Sequence, residues 1–93
     1  MNKEEVKAKA EQKIDEASAK INEFKAKKAS AETEVKGKYD ELIADLEEHR
    51  GEMQSKYEKI KEGAEDQLEE VNESFLKASA SFKEGAKELA SIF

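Results

Sequence analysis

The stretch Lys61-Glu-Gly-Ala-Glu-Asp-Gln-Leu-Glu-Glu70 (KEGAEDQLEE) decides whether this chain is one rod or two helices. Gly63 suits the residue just past a helix end, where the left-handed conformation is common. Asp66 suits the N-cap of the helix that follows, and Glu69 then occupies the third helical position, so Asp66-Gln-Leu-Glu69 has the form of a capping box. Glu69 and Glu70 also favour a helix N-terminus through the helix dipole. This reading predicts helix one over about 3–62, a turn over about 63–66 and helix two over about 67–92. A continuous rod is the competing reading, because the chain contains no Pro to enforce a break. The other glycines, Gly37, Gly51 and Gly85, lack neighbouring turn residues and are expected inside helices.

Working outward from this stretch, apolar residues recur at steps of three and four along the whole chain. The stripe runs Val6, Ala10, Ile14, Ala17, Ile21, Phe24, Lys28, Ala31, Val35, Tyr39, Leu42, Leu46, His49, Met53, Tyr57, Ile60, Ala64, Leu68, Val71, Phe75, Ala78, Phe82, Ala86, Leu89 and Phe93. Twenty-three of its 25 positions are apolar, and the large apolar residues off it are Met1, Ile43, Leu76 and Ile92. Steps averaging about 3.6 residues are the turn of an α-helix, and no strand pattern competes. The fold class is therefore all-α: a long helix and a shorter one in an antiparallel coiled-coil hairpin, a single domain over 1–93. The expected core and oligomer-packing residues are Ile14, Ile21, Phe24, Val35, Leu42, Leu46, Met53, Ile60, Leu68, Val71, Phe75, Phe82 and Leu89, with Gly63, Asp66 and Glu69 at the turn. In the hairpin, Phe75 faces Met53, Phe82 faces Leu46 and Leu89 faces Tyr39.

Composition bounds the function. Charged residues make up 43% of the 93-residue chain, and it has no Cys, Trp or Pro, which is the composition of long helices and coiled coils. Without Cys, disulfides and thiolate metal sites are excluded. No apolar run approaches the roughly 18 residues of a membrane span, and the opening Met1-Asn-Lys-Glu-Glu-Val begins no signal peptide, so a cytoplasmic protein is expected. The net charge of −6 is uneven. Residues 1–38 carry ten Lys against eight acids (+2), and residues 39–74 carry three Lys and Arg50 against thirteen acids (−9). Residues 75–93 carry three Lys against two acids (+1). Such an acidic middle repels nucleic acid.

Helix two is too short to cover the stripe from Val6 to Val35, which leaves Ile14, Ile21, Phe24 and Val35 in need of a partner. A second copy of the chain, antiparallel, sets the +2 segment along the acidic segment. Each end of that homodimer then holds three helices, two from one chain and an N-terminal half from the other. The widened apolar face near Ile43 suits more than one neighbour.

The opening EEVKAKAEQKIDEASAKINEFKAKK, the central KYDELIADLEEHRGEMQSKYEKIKEG, the segment AEDQLEEVNESF and the ending ELASIF resemble a family of small bacterial coiled-coil proteins of the stress-response type, described in cyanobacteria. Its members show an Asp-x-Trp-Glu-like helix start where this chain has Asp66-Gln67-Leu68-Glu69. The resemblance implies a helical, oligomeric cytoplasmic protein and supplies no catalytic or ligand residue.

No catalytic constellation is expected. His49, the only histidine, lies on the stripe between Leu46 and Met53, where a polar seam residue outweighs a metal ligand because no local ligand motif surrounds it. Lys28 on the stripe can lay its stem on apolar surface while its ammonium reaches water. Tyr39 and Tyr57 are expected to pack. No nucleophile–base pair, phosphate loop or metal signature is present, so neither an enzyme nor a cofactor is expected. Residues 74–93 keep a second possibility. Phe75, Leu76, Phe82, Leu89, Ile92 and Phe93 stand opposite Ser74, Ser79, Ser81 and Ser91, a pattern that suits shallow insertion at a membrane surface. The competing reading places these residues in the hairpin core.

Overall fold

A computed structural model describes residues 2–92. The described chain contains three α-helices and no strand: α1 (Lys3–Ala29), α2 (Thr33–Glu62) and α3 (Leu68–Ala90), with a single 3₁₀ turn (Glu65–Gln67) leading into α3. Asn2 caps α1, its side-chain oxygen accepting from the Glu4 amide at 2.8 Å, and Glu4 and Glu5 lie in the first turn, where the helix dipole favours acids. Lys27 and Lys28 lie in its last turn, where the dipole favours cations.

The expected helix over 3–62 is broken once. α1 ends at Ala29 and α2 begins at Thr33, with neither Gly nor Pro between them. A straight helix of 60 residues would span roughly 90 Å. The folded chain instead measures 50 × 18 × 16 Å. The physical reason is the stripe itself. Straight, Val6, Ile14, Ile21 and Phe24 stay in water; folded back, they are 7%, 8%, 4% and 2% exposed. Burying each contributes about 1.5–3 kcal/mol. The break costs a few backbone hydrogen bonds, each worth a net of about 0.5–1.5 kcal/mol. Burial wins.

α1 and α2 run in opposite directions. Lys3 Nζ donates to the Gly63 carbonyl at 3.0 Å, at the far end of α2. Moving inward, Tyr57 donates to Glu11, Arg50 donates to Ser18 Oγ at 3.3 Å, Lys25 pairs with Glu47 at 3.0 Å, and Lys28 pairs with Asp40 beside the joint. These contacts fix the register along the whole length. α3 packs chiefly on α2, and the seam between α1 and α3 is the thinnest of the three. At Gly85 the backbone of α3 approaches so closely that a Cβ there would lie 2.9 Å from Leu46 Cδ2. A side chain at that crossing would have to push the end of the Leu46 side chain aside.

Every buried residue except Ile43 lies on the predicted stripe. Ile43 is 5% exposed, beside Lys25 and Ala29 of α1. Leu76, which also widens the stripe, is 45% exposed.

Candidate interaction surface

The residues expected to pack fall into one continuous core. Ile14, Ile21, Phe24, Leu42, Leu46, Met53, Ile60, Leu68, Phe75, Phe82 and Leu89 are buried, while Val35 and Val71 are half-buried against that core. Phe93, the last position of the stripe, lies outside the described residues. Phe24, Tyr39, Leu46, Met53, Ile60, Phe75 and Leu89 are the largest fully buried side chains. The stripe from Val6 to Phe24 thus has its partner within the same chain. The shortage of cover that pointed to a second copy is met by α1 folding back.

The joint between α1 and α2 is plain backbone. Ser30 remains in the right-handed helical region (φ −97°, ψ −1°), with its amide donating to the Lys27 carbonyl at 3.1 Å. Ala31 donates to the Lys28 carbonyl at 2.9 Å. Glu32 is the hinge residue, extended at φ −67° and ψ 149°, and its side chain provides no cap for the amides that open α2. No described residue has a positive φ. Across the joint, Ala31 and Val35 still pack on the core, so the stripe passes through the break in phase. The sequence signal for this joint is a gap: between Phe24 and Val35 the stripe holds only Lys28 and Ala31, with Ser30 and Thr33 beside them.

The joint between α2 and α3 corrects three expectations. Gly63 is not left-handed: it is extended (φ −74°, ψ 155°), and Ala64 repeats that conformation (φ −74°, ψ 156°). Two successive extended residues turn the chain, so no left-handed residue is required. Asp66 does not cap the last helix; it lies inside the 3₁₀ turn, and Gln67 at the N-cap position makes no side-chain cap bond. The capping box with Glu69 therefore does not form, because the 3₁₀ turn moves the start of α3 past Asp66 to Leu68. Glu69 and Glu70 do occupy the first turn of α3, where the dipole favours them. Gly63 still matters sterically: a Cβ there would lie 2.9 Å from the Lys59 carbonyl oxygen, which accepts the Gly63 amide at 2.8 Å.

The polar fringe of the core is built from a few side chains. Tyr57 is buried, and its hydroxyl donates to the Glu11 carboxylate. That hydrogen bond, helped by burial and the nearby acids, pushes the phenol up to about 12. Burial likewise raises Tyr39. Glu23 is held below the usual carboxylate range by Lys20 and Lys27, and Glu58 by Lys61 and Gln54. His49 is half-buried where Gly85 of α3 passes; its Nδ1 is enclosed without a hydrogen-bond partner, 3.9 Å from Glu52 Oε2. Among the described residues no group of three His, Asp or Glu side chains converges in a way that could hold a metal ion. Among them, too, no helix is long and apolar enough to cross a membrane. Compared with family models, with curated proteins and with solved structures, the chain matches none.

Proposed function

We propose that this chain is a non-enzymatic helical structural protein that acts by associating with copies of itself in the cytoplasm, as the small bacterial stress-response coiled coils that it resembles are expected to do. The observation that carries this reading is the stripe. One apolar seam runs from Val6 to Leu89 and supplies every buried residue but Ile43. It stays in phase through the α1–α2 joint, where Ala31 and Val35 keep contact with the core. A helix with that seam can take its neighbours from its own chain or from another copy, since the packing surface is the same in both cases. In this reading α2 and α3 form the antiparallel hairpin, and the homodimer is antiparallel. Light scattering across a wide concentration range tests it: the mass should rise from that of one chain to that of two. A single chain at every concentration would refute self-association.

A second reading is favoured by one feature of α3. Leu76 is the one large apolar side chain that stands exposed among the described residues, on a helix whose polar positions include Ser74, Ser79 and Ser81, with Ser91 just past its end. Such a helix suits loosely packed lipid. Vesicle flotation tests it: binding that Leu76→Ser abolishes would favour a surface-active protein, and no binding would leave self-association as the working mode.

A further inference from the structure

The α1–α2 joint is built in a way that allows α1 to change chains. We infer that the chain dimerises by exchanging α1: the Ser30–Glu32 joint straightens, α1 and α2 become one helix over 3–62, and α1 of each copy lies in the groove that its counterpart has left on the other copy's α2 and α3. This inference rests on the self-association reading above and specifies its geometry.

Four observations converge on it. First, straightening requires only ordinary backbone. Ser30 is already in the right-handed region, at φ −97° and ψ −1°, and needs only a modest shift towards helical values, while Glu32 must change chiefly in ψ, from 149° towards the helical value near −42°. No Pro opposes this and no residue has to leave a left-handed conformation. Second, the folded joint leaves the first amides of α2 without a side-chain cap, although the Ser30, Ala31 and Val35 amides donate to the Lys27, Lys28 and Glu32 carbonyls. The uncapped amides gain helical carbonyl partners when the helix runs through. Third, the stripe stays in phase across residues 24–39, so the straight helix presents Val6–Phe24 and Tyr39–Ile60 along a single face. Fourth, α1 is the helix most easily detached. It rests mainly on α2, and its seam with α3 is the thinnest in the bundle.

The exchanged dimer remakes each contact of the closed chain in trans. Lys25–Glu47, Arg50–Ser18 and Tyr57–Glu11 form between copies with the same partners, so complementarity is inherited and needs no new surface. Only the joints differ. Exchange of an identical element is a low-cost route to a dimer for this reason. Concentration then sets the balance, since the dimer restores helix continuity at two joints and loses the translational freedom of one chain.

Spin labels at positions 18 and 50, introduced through cysteines into a chain that has none of its own, test the inference. Each doubly labelled chain is diluted into excess unlabelled protein, so that only distances within one chain are read. In the closed form the two positions are neighbours, joined by the Arg50–Ser18 hydrogen bond. In the exchanged form they lie 32 residues apart on one straight helix, about 48 Å at 1.5 Å per residue. The expected result is a short distance at low concentration that gives way to about 48 Å as the mass doubles. Dimers that retain the short distance would overturn the exchange and leave self-association standing. A single chain at every concentration would overturn both. Thr33→Pro provides a second arm, because proline fits the opening of α2 and not the interior of a straight helix. It should abolish the dimer at concentrations where the parent chain is fully dimeric; a dimer that survives the substitution would overturn the exchange.

Discussion

Thr33→Pro separates the closed bundle from the straight helix by the sign of its effect. In the closed chain Thr33 is the first residue of α2 and is exposed, so removing its side chain costs no packing. Proline is favoured at this position, where the amide lacks a helical partner. The residue before it, Glu32, already has the extended conformation (φ −67°, ψ 149°) that a following proline demands. The substitution should therefore stabilise the closed monomer by about 0.4–1 kcal/mol through the unfolded chain. For a domain of this size 1 kcal/mol corresponds to roughly 4–8 °C, so Tm should rise by about 2–8 °C. In a helix running from 3 to 62 the same proline is interior and costs about 3 kcal/mol. An exchanged dimer holds two such prolines, so about 6 kcal/mol separates the states. At 1.4 kcal/mol per decade, Kd should weaken more than about ten-thousandfold. Thermal melts followed by circular dichroism in dilute solution read the first effect, and sedimentation equilibrium reads the second. A fall in the dilute-solution Tm by 10 °C or more, well beyond any loss expected at a helix start, would mean that residue 33 lies inside a helix and that the joint is misplaced.

Other substitutions probe the core, the turn and the polar fringe. Phe82→Ala should cost about 3–5 kcal/mol because the ring is buried between the helices, whereas Lys83→Asp should stay within about 0.5 kcal/mol; equal, small shifts in Tm would mean that α3 is not packed. Gly63→Ala should destabilise by on the order of 1 kcal/mol, since its Cβ would press on the Lys59 carbonyl at 2.9 Å, and a stabilised variant in urea melts would show that this contact is absent. The Tyr57 phenol titrates at about 12 in the fold against 10.0 otherwise. Its folded value is the higher, so its contribution to stability is complete below pH 10 and is lost as pH rises towards 12. Melts at alkaline pH should show a loss in this window that Tyr57→Phe largely removes, and an unchanged pH dependence in that variant would contradict the Glu11 contact.

The core was legible in the sequence because helical periodicity is a local property. A side chain at Leu46 or Phe75 points to the seam whatever neighbour it meets, so the stripe from Val6 to Leu89 also marks what is buried. What covers the seam is not local. The expected length of the first helix followed from the absence of Pro and from Gly37 and Gly51 standing without neighbouring turn residues, yet the chain breaks at Ser30–Glu32, where neither Gly nor Pro occurs. The break is set by the balance between helix continuity and the burial of Ile14, Ile21 and Phe24, and only the thin stretch of stripe at Lys28 and Ala31 hints at it. Gly63 marked a real turn for the wrong reason: its neighbours allow an extended pair, and the contact with Lys59, not a left-handed φ, is what a side chain would disturb. Ile43 and Leu76 widen the stripe alike in sequence. One is buried beside α1 and the other stands in water, a difference fixed by where the third helix lies.

The account rests on α1 folding back onto its own chain, and small-angle X-ray scattering from dilute protein tests this most directly. A particle with the mass of one chain and a longest dimension close to the 50 Å of the bundle is the predicted result. A particle of that same mass extending towards roughly 90 Å, the length of an unbroken helix over 3–62, would contradict it.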